Sequence, residues 1–223
     1  LAWEKRAADP LIDLSFLTRR STLEPLCIAF SLYCAYRMSL YFLPIYLSEI
    51  LSVPPFMGGV IMSGGAVICV VCSPLSGIWM ERKGMPGIRS LLILSGLFGL
   101  LSGGVMMAAP FLGNLPAIGI SLLLLNLMFG LGSTGVYGFY YATVPRDQAG
   151  MAGGIMETVI EFACLMSISC VQVCFTSGIA VMGDGSISVS TILEGSTPGV
   201  QAIYLLSLLF GLSILLLSRR IRG

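Results

Sequence analysis

The sequence predicts an all-α membrane protein built from six transmembrane helices, and three observations carry that reading. First, 56% of its 223 residues are hydrophobic and only 10% are charged, against roughly 25% charged in an ordinary soluble domain. Too little polar surface exists to cover a water-soluble globule of this size. Second, six apolar stretches separated by polar breaks each reach the roughly 20 residues that a helix needs to cross a hydrocarbon core about 30 Å thick. Third, the basic residues gather in alternate loops.

A lead-in, residues 1–22, mixes apolar and charged residues and reads as a cytoplasmic interfacial segment or linker, with the six-helix domain following over residues 23–223. Helix one is expected from Ser21 to Leu51, capped by Ser21 or Thr22, carrying Pro25 in its first turn and bending near Pro44. Val53-Pro54-Pro55 ends the connection, and helix two covers Phe56 to Met80. Helix three runs from Ile88 to Ala109, helix four from Leu115 to Thr143 and helix five from Ala149 to Ile179, with Gly- and Pro-marked turns between them. A polar loop, Met182 to Gly199, precedes helix six at Val200 to Leu217. The opening Leu1, with no basic-then-apolar signal pattern behind it, reads as a start within a longer protein.

Cytoplasmic loops near membrane spans retain Lys and Arg. Here Lys5, Arg6, Arg19 and Arg20 precede helix one, Arg82, Lys83 and Arg89 lie between helices two and three, Arg146 between four and five, and Arg219, Arg220 and Arg222 at the end. Eleven of twelve basic residues thus fall on one side of a six-span chain, which predicts an integral membrane protein of the plasma or cytoplasmic membrane with both termini cytoplasmic. The formal net charge of +1, spread over span ends, offers no footprint for nucleic acid.

The seven cysteines (Cys27, Cys34, Cys69, Cys72, Cys164, Cys170 and Cys174) all fall in apolar spans, where they act as small hydrophobes. Cys69 and Cys72 form a C-x-x-C pair, but with no histidine and no second pair in the chain, no metal site or cofactor is expected. Serines in Ser73-Pro74-Leu75-Ser76-Gly77 superficially suit an intramembrane hydrolase, but the chain has no histidine to act as base, and Asp184 falls in a loop with no membrane aspartate to complete an aspartyl dyad. An enzyme is not expected.

A charge at the bilayer centre costs at least about 2.5 to 3.5 kcal/mol, so intramembrane ionisable groups face a bundle interior or a wet cavity. Three qualify: Arg37 within helix one, and Glu157 and Glu161 one turn apart on one face of helix five. Counting residues from each helix start puts Arg37 and Glu161 at comparable depth, where they can pair. Two neighbouring, poorly hydrated carboxylates suit loading and unloading of a proton; the same groups also suit a buried ion pair that merely fixes helix packing. Arg37 and Glu161 are the favoured pair, because Glu157 lies nearer the helix start.

Polar residues extend these faces as cavity-lining candidates: Tyr33 and Tyr41 around Arg37, and Asn126, Ser133 and Tyr137 on helix four. Phenols offer a flat apolar surface plus one hydrogen bond, which suits a lipophilic or amphipathic small molecule. Tyr46, Tyr140 and Tyr141 equally suit an interfacial aromatic belt. Glycines inside helices two, three and four read as close helix contacts.

The lead-in Asp9-Pro10-Leu11-Ile12-Asp13-Leu14-Ser15-Phe16-Leu17 with Arg19-Arg20 resembles the segment before the second six-helix half in the drug:proton antiporter branch of the major facilitator superfamily. Phe42-Leu43-Pro44-Ile45-Tyr46-Leu47 resembles the end of that half's first helix, and Val144-Pro145 with Gly150-Met151-Ala152-Gly153-Gly154 its fourth-to-fifth junction. Gly77, Glu81, Arg82 and Gly84 follow the family's Gly-x-x-x-Asp-Arg-x-Gly loop motif, with Glu81 in place of aspartate and Met85-Pro86-Gly87 in place of its usual basic residues. The resemblance implies half of a major-facilitator bundle, made of two inverted three-helix repeats, that moves a small solute by alternating access. It also implies partners: a missing N-terminal half or a second copy, the lipid bilayer, the solute and protons. Arg37, Glu157 and Glu161 are not standard positions of the family and rest on membrane energetics alone. A non-transporting membrane receptor or assembly subunit is the alternative reading.

Overall fold

The computed structural model describes residues 19–108, 114–180 and 198–220. The first 18 residues, most of the Met182–Gly199 loop, the connection at 109–113 and residues 221–223 lie outside that description. The described residues form α1 (Arg20–Ile45), α2 (Pro55–Lys83), α3 (Met85–Met107), α4 (Asn114–Thr143), α5 (Ala149–Ala180) and α6 (Pro198–Arg220). A π-helical turn, Tyr46–Ile50, continues α1, and a 3₁₀ turn, Arg146–Gln148, leads into α5. Five of these helices are long and apolar enough to cross a membrane, and α6 adds a shorter apolar stretch, Ile203–Arg219.

Local chemistry explains the helix ends. The expected Ser21 or Thr22 cap is not used: α1 begins one residue earlier, with Arg19 in extended conformation as N-cap and its carbonyl accepting from Thr22 and Leu23. Arg20 instead clamps the first turn through a 2.7 Å contact to Glu24, one helical turn on. Pro44 lies inside α1, and the widened turn follows at once, because proline deletes a backbone donor and crowds the preceding turn. The α2–α3 connection shrinks to one residue. Gly84 adopts φ +60° and ψ −139°, a region open to little but glycine, and its N–H bonds the Met80 carbonyl at 2.8 Å. Pro86 then sits in the first turn of α3, where its missing N–H costs nothing. Helix three therefore starts before the expected Ile88.

The packing has a paired pattern. Helix α1 meets α4, α5 and α6, while α4 meets α1, α2 and α3; α3 packs on α6, α2 touches α3, and α5 touches α6. Exchanging α1–α3 for α4–α6 maps each of these contacts onto another or onto itself. One apolar core joins Leu32, Met128, Met156 and Ile214, and a second, toward the opposite end of α1, joins Phe42, Leu47, Ile118 and Ile203. The α3–α6 crossing is backbone on backbone: a side chain at Gly96 would lie 3.0 Å from the Leu215 nitrogen, and one at Gly211 would lie 3.1 Å from that of Leu100. Buried serines satisfy themselves on neighbouring helices, Ser95 donating to the Met128 carbonyl at 2.8 Å and Ser102 to that of Ser121 at 3.0 Å.

Helix α2 differs from its neighbours. Only 6% of its most apolar window is buried, so nearly the whole span is uncovered by the rest of this chain. Glycines 59 and 64, expected to mark helix contacts, have open space beside them. The tyrosines that equally suit a belt or a cavity lining also divide: Tyr140 is fully buried and donates to the Ala152 carbonyl at 3.1 Å, Tyr46 is buried in the second core, and Tyr141 alone of the three is exposed.

Candidate functional site

Helix α1 is buried on most sides yet keeps one open stripe, in which Arg37, Tyr41, Pro44 and Ser48 follow at steps of four, three and four residues and so share a face. The walls beside this stripe come from α4 and α5. From α4, the Tyr137 phenol donates to Oε1 of Glu157 on α5 at 2.7 Å. Tyr33, on α1, interacts with Tyr137 and lies within electrostatic range of both Arg37 and Glu157. Ser133 lies one turn from Tyr137 on the same face of α4 and is half-buried. Arg37, Glu157 and Glu161 are all exposed along this groove rather than enclosed.

An aromatic cluster forms the groove's flank. Phe129 meets the Tyr33 ring edge-on, with centroids 5.2 Å apart, and stacks on Tyr36 at 3.9 Å and 11°. The Tyr36 hydroxyl in turn donates to Oδ1 of Asn126 at 3.4 Å, while the Asn126 amide donates to the Leu122 carbonyl at 2.9 Å. Asn126 is 2% exposed. It is therefore placed inside the bundle rather than on the groove surface, with both ends of its amide satisfied as a buried polar group requires. A Cβ on Gly65 of α2 would come within 2.6 Å of its nitrogen, so α2 closes over Asn126 only because that position is glycine. Neither Tyr36 nor Phe129 stands out in the sequence; the three-residue spacing of Tyr33 and Tyr36 was the available signal.

The expected Arg37–Glu161 pair does not form. Among the described residues the one ion pair is Arg20–Glu24. The register of α1 against α5 gives the reason: Phe30 stands beside Phe162 with ring centroids 6.2 Å apart, Cys34 donates to the Ala163 carbonyl at 3.4 Å, and Ser167 donates to the Cys34 carbonyl at 3.3 Å. Glu161 is thus level with Phe30, and Arg37 lies about 10 Å further along the bundle at 1.5 Å per residue. Counting from helix starts assumed equal offsets that the side-chain packing does not respect. The carboxylate held by the cluster is Glu157, not the Glu161 that the sequence favoured as the partner of Arg37.

The loop motif occupies the far end of α2. Glu81 and Arg82 are exposed and form no ion pair among the described residues. Next to them the Lys83 ammonium sits 4.0 Å from the Trp79 ring centroid, and the Trp79 indole donates to Ser90 at 3.2 Å, tying α2 to α3 across Gly84. Arg89 donates to the Arg219 carbonyl at 3.3 Å, which brings the start of α3 to the end of α6. The described cysteines are free thiols, and no described group of His, Cys, Asp or Glu could hold a metal ion.

A sequence profile described as "Major Facilitator Superfamily" matches residues 2–168. The chain is 23% identical over 205 residues to YwoD, an uncharacterized MFS-type transporter of Bacillus subtilis (strain 168), covering 90% of this chain and 44% of that protein. It is also 31% identical over 84 residues to the MFS-type transporter ppz2 of Metarhizium majus (strain ARSEF 297), covering 37% of this chain and 14% of that protein. The chain spans less than half the length of the curated relatives it matches. A bundle of long apolar helices and a profile covering most of its length agree: this integral membrane protein belongs to the major facilitator superfamily.

Proposed function

We propose that this chain is the C-terminal half of a secondary active transporter of the drug:proton antiporter branch, exporting a small lipophilic or amphipathic solute by proton-coupled alternating access. The observation that carries the reading is the open groove on α1, with the Tyr137–Glu157 hydrogen bond on its wall and Arg37 on its floor. Charges so placed in a membrane are tolerated only beside water or a polar partner. Six spans, α6 included, make up the half, and the exchangeable contacts of α1–α3 and α4–α6 support two inverted repeats. The uncovered length of α2 supports a further bundle packed against it, an upstream half or a second copy. Both termini are cytoplasmic, and the membrane is the plasma or cytoplasmic membrane.

In this reading Glu157 takes the coupling proton. Tyr137 orients its carboxylate, and Glu161, one turn on, shares the load. The chemistry is transport rather than catalysis. The decisive experiment reconstitutes the chain together with its upstream half in liposomes carrying a pH gradient. Substrate-dependent proton flux is expected, Glu157→Gln and Glu161→Gln should uncouple it without loss of folded protein, and the chain alone should be inactive. Flux unchanged in both variants would reject the assignment, and absence of any flux would favour the receptor or assembly-subunit reading.

A further inference from the structure

The groove carries two kinds of charge, and they are not equivalent. Glu157 is already engaged by a phenol, whereas Arg37 has no carboxylate partner among the described residues and projects from the open stripe of an otherwise buried helix. It stands 17 residues after the start of a 29-residue span, close to its middle. An arginine there must be compensated, because its desolvation is costly and its five donors remain to be satisfied. The nearest free carboxylate on the α5 wall, Glu161, is held about 10 Å away along the bundle by the α1–α5 register. On either side of Arg37 stand phenols, Tyr33 one turn before it, buried in the core at 8% exposed, and Tyr41 one turn after it, 38% exposed on the open face. Phe129 backs the first of these edge-on.

We infer that Arg37 is the headgroup anchor of this groove and that its ligand is an amphipathic anion, with a carboxylate or comparable planar oxyanion on the guanidinium and an apolar body along the exposed Tyr41 ring. The inference rests on the transport reading above but concerns binding. Guanidinium matches a carboxylate with two parallel hydrogen bonds, a geometry an ammonium cannot reproduce. The exposed Tyr41 ring supplies apolar area at little entropic cost and a hydroxyl at its rim. The alternative neutraliser, an acidic side chain from an upstream half, would fill the same donors and leave the groove without charge preference.

The test uses three pyrene probes that differ only in headgroup: pyrenebutyrate, pyrenebutanol and pyrenebutylamine. Their binding to the intact protein in detergent is followed by fluorescence anisotropy, separately from any transport assay. Pyrenebutyrate should bind about tenfold or more tightly than the alcohol, as expected for a charge-assisted pair, and the amine more weakly than either. Arg37→Gln should abolish the preference for the anion. Arg37→Lys, which keeps the charge and guards against a folding defect, should retain part of it. Equal binding of the three probes, a preference for the amine, no saturable binding, or a preference unchanged in Arg37→Gln would each overturn the inference. A protein that prefers the anion yet moves no proton would sink the coupling reading while leaving this one standing.

Discussion

Tyr137 on α4 and Glu157 on α5 are joined by a 2.7 Å hydrogen bond, phenol to carboxylate, although 20 residues separate them in the chain. The bond spans the two helices that wall the groove, and it orients a carboxylate that the local sequence leaves free to rotate. A hydrogen bond to a charged acceptor is worth about 1.5 to 3 kcal/mol, and 1.4 kcal/mol is about tenfold in an equilibrium or a rate. Tyr137→Phe should therefore reduce proton-driven flux about tenfold or more while the protein still purifies as a folded species. Flux indistinguishable from the parent across the pH range would show that the phenol does not position the coupling group.

The α3–α6 crossing makes a prediction about stability. A Cβ added at Gly96 would lie 3.0 Å from the Leu215 backbone nitrogen, whereas one added at Gly104, on the same helix, would have open space beside it. Overpacking of this kind costs about 1 to 3 kcal/mol. Gly96→Ala should lower the thermal unfolding midpoint in detergent by several degrees, and Gly104→Ala should leave it unchanged. Equal effects would mean that the two helices are not in contact through that glycine.

Topology gives a third prediction. Arg89 and Arg219 meet at one end of the bundle, the end that the proposed topology, drawn from retention of basic residues on the cytoplasmic side, puts inside the cell. Cysteines introduced at Glu81 and Arg146 should both be labelled only after the membrane is opened. Labelling of one from the outside of sealed cells would break the six-span arrangement.

Much of the fold was legible because its signals are local. Runs of apolar residues, the Pro54-Pro55 start of α2 and the glycine at 84 fix helix positions without reference to the rest of the chain, and α5 ends within one residue of its expected limit. What was not legible is set by contacts between helices. The Arg37–Glu161 pairing fails because the meeting of Phe30 with Phe162 fixes how far α1 slides along α5, a matter of side-chain fit that residue counting does not contain. Asn126 lies inside and Tyr41 outside, though both sit in long apolar helices whose composition marks no preferred face. Glycines at 64 and 65 are neighbours in sequence, yet only the second is pressed by another helix.

The central claim is that the stripe on α1 and the facing edge of α5 line a water-accessible path while the other side of α5 faces lipid. Thiols react with maleimides as thiolates, which form in water and not in hydrocarbon. In a cysteine-free form of the intact protein in native membranes, single cysteines replacing Tyr41 and Glu161 should react with a hydrophilic maleimide, and those replacing Phe162 and Met166, exposed on the adjoining face of α5, should stay unreacted. Equal labelling of the two sets, or labelling of the second set alone, would contradict the account.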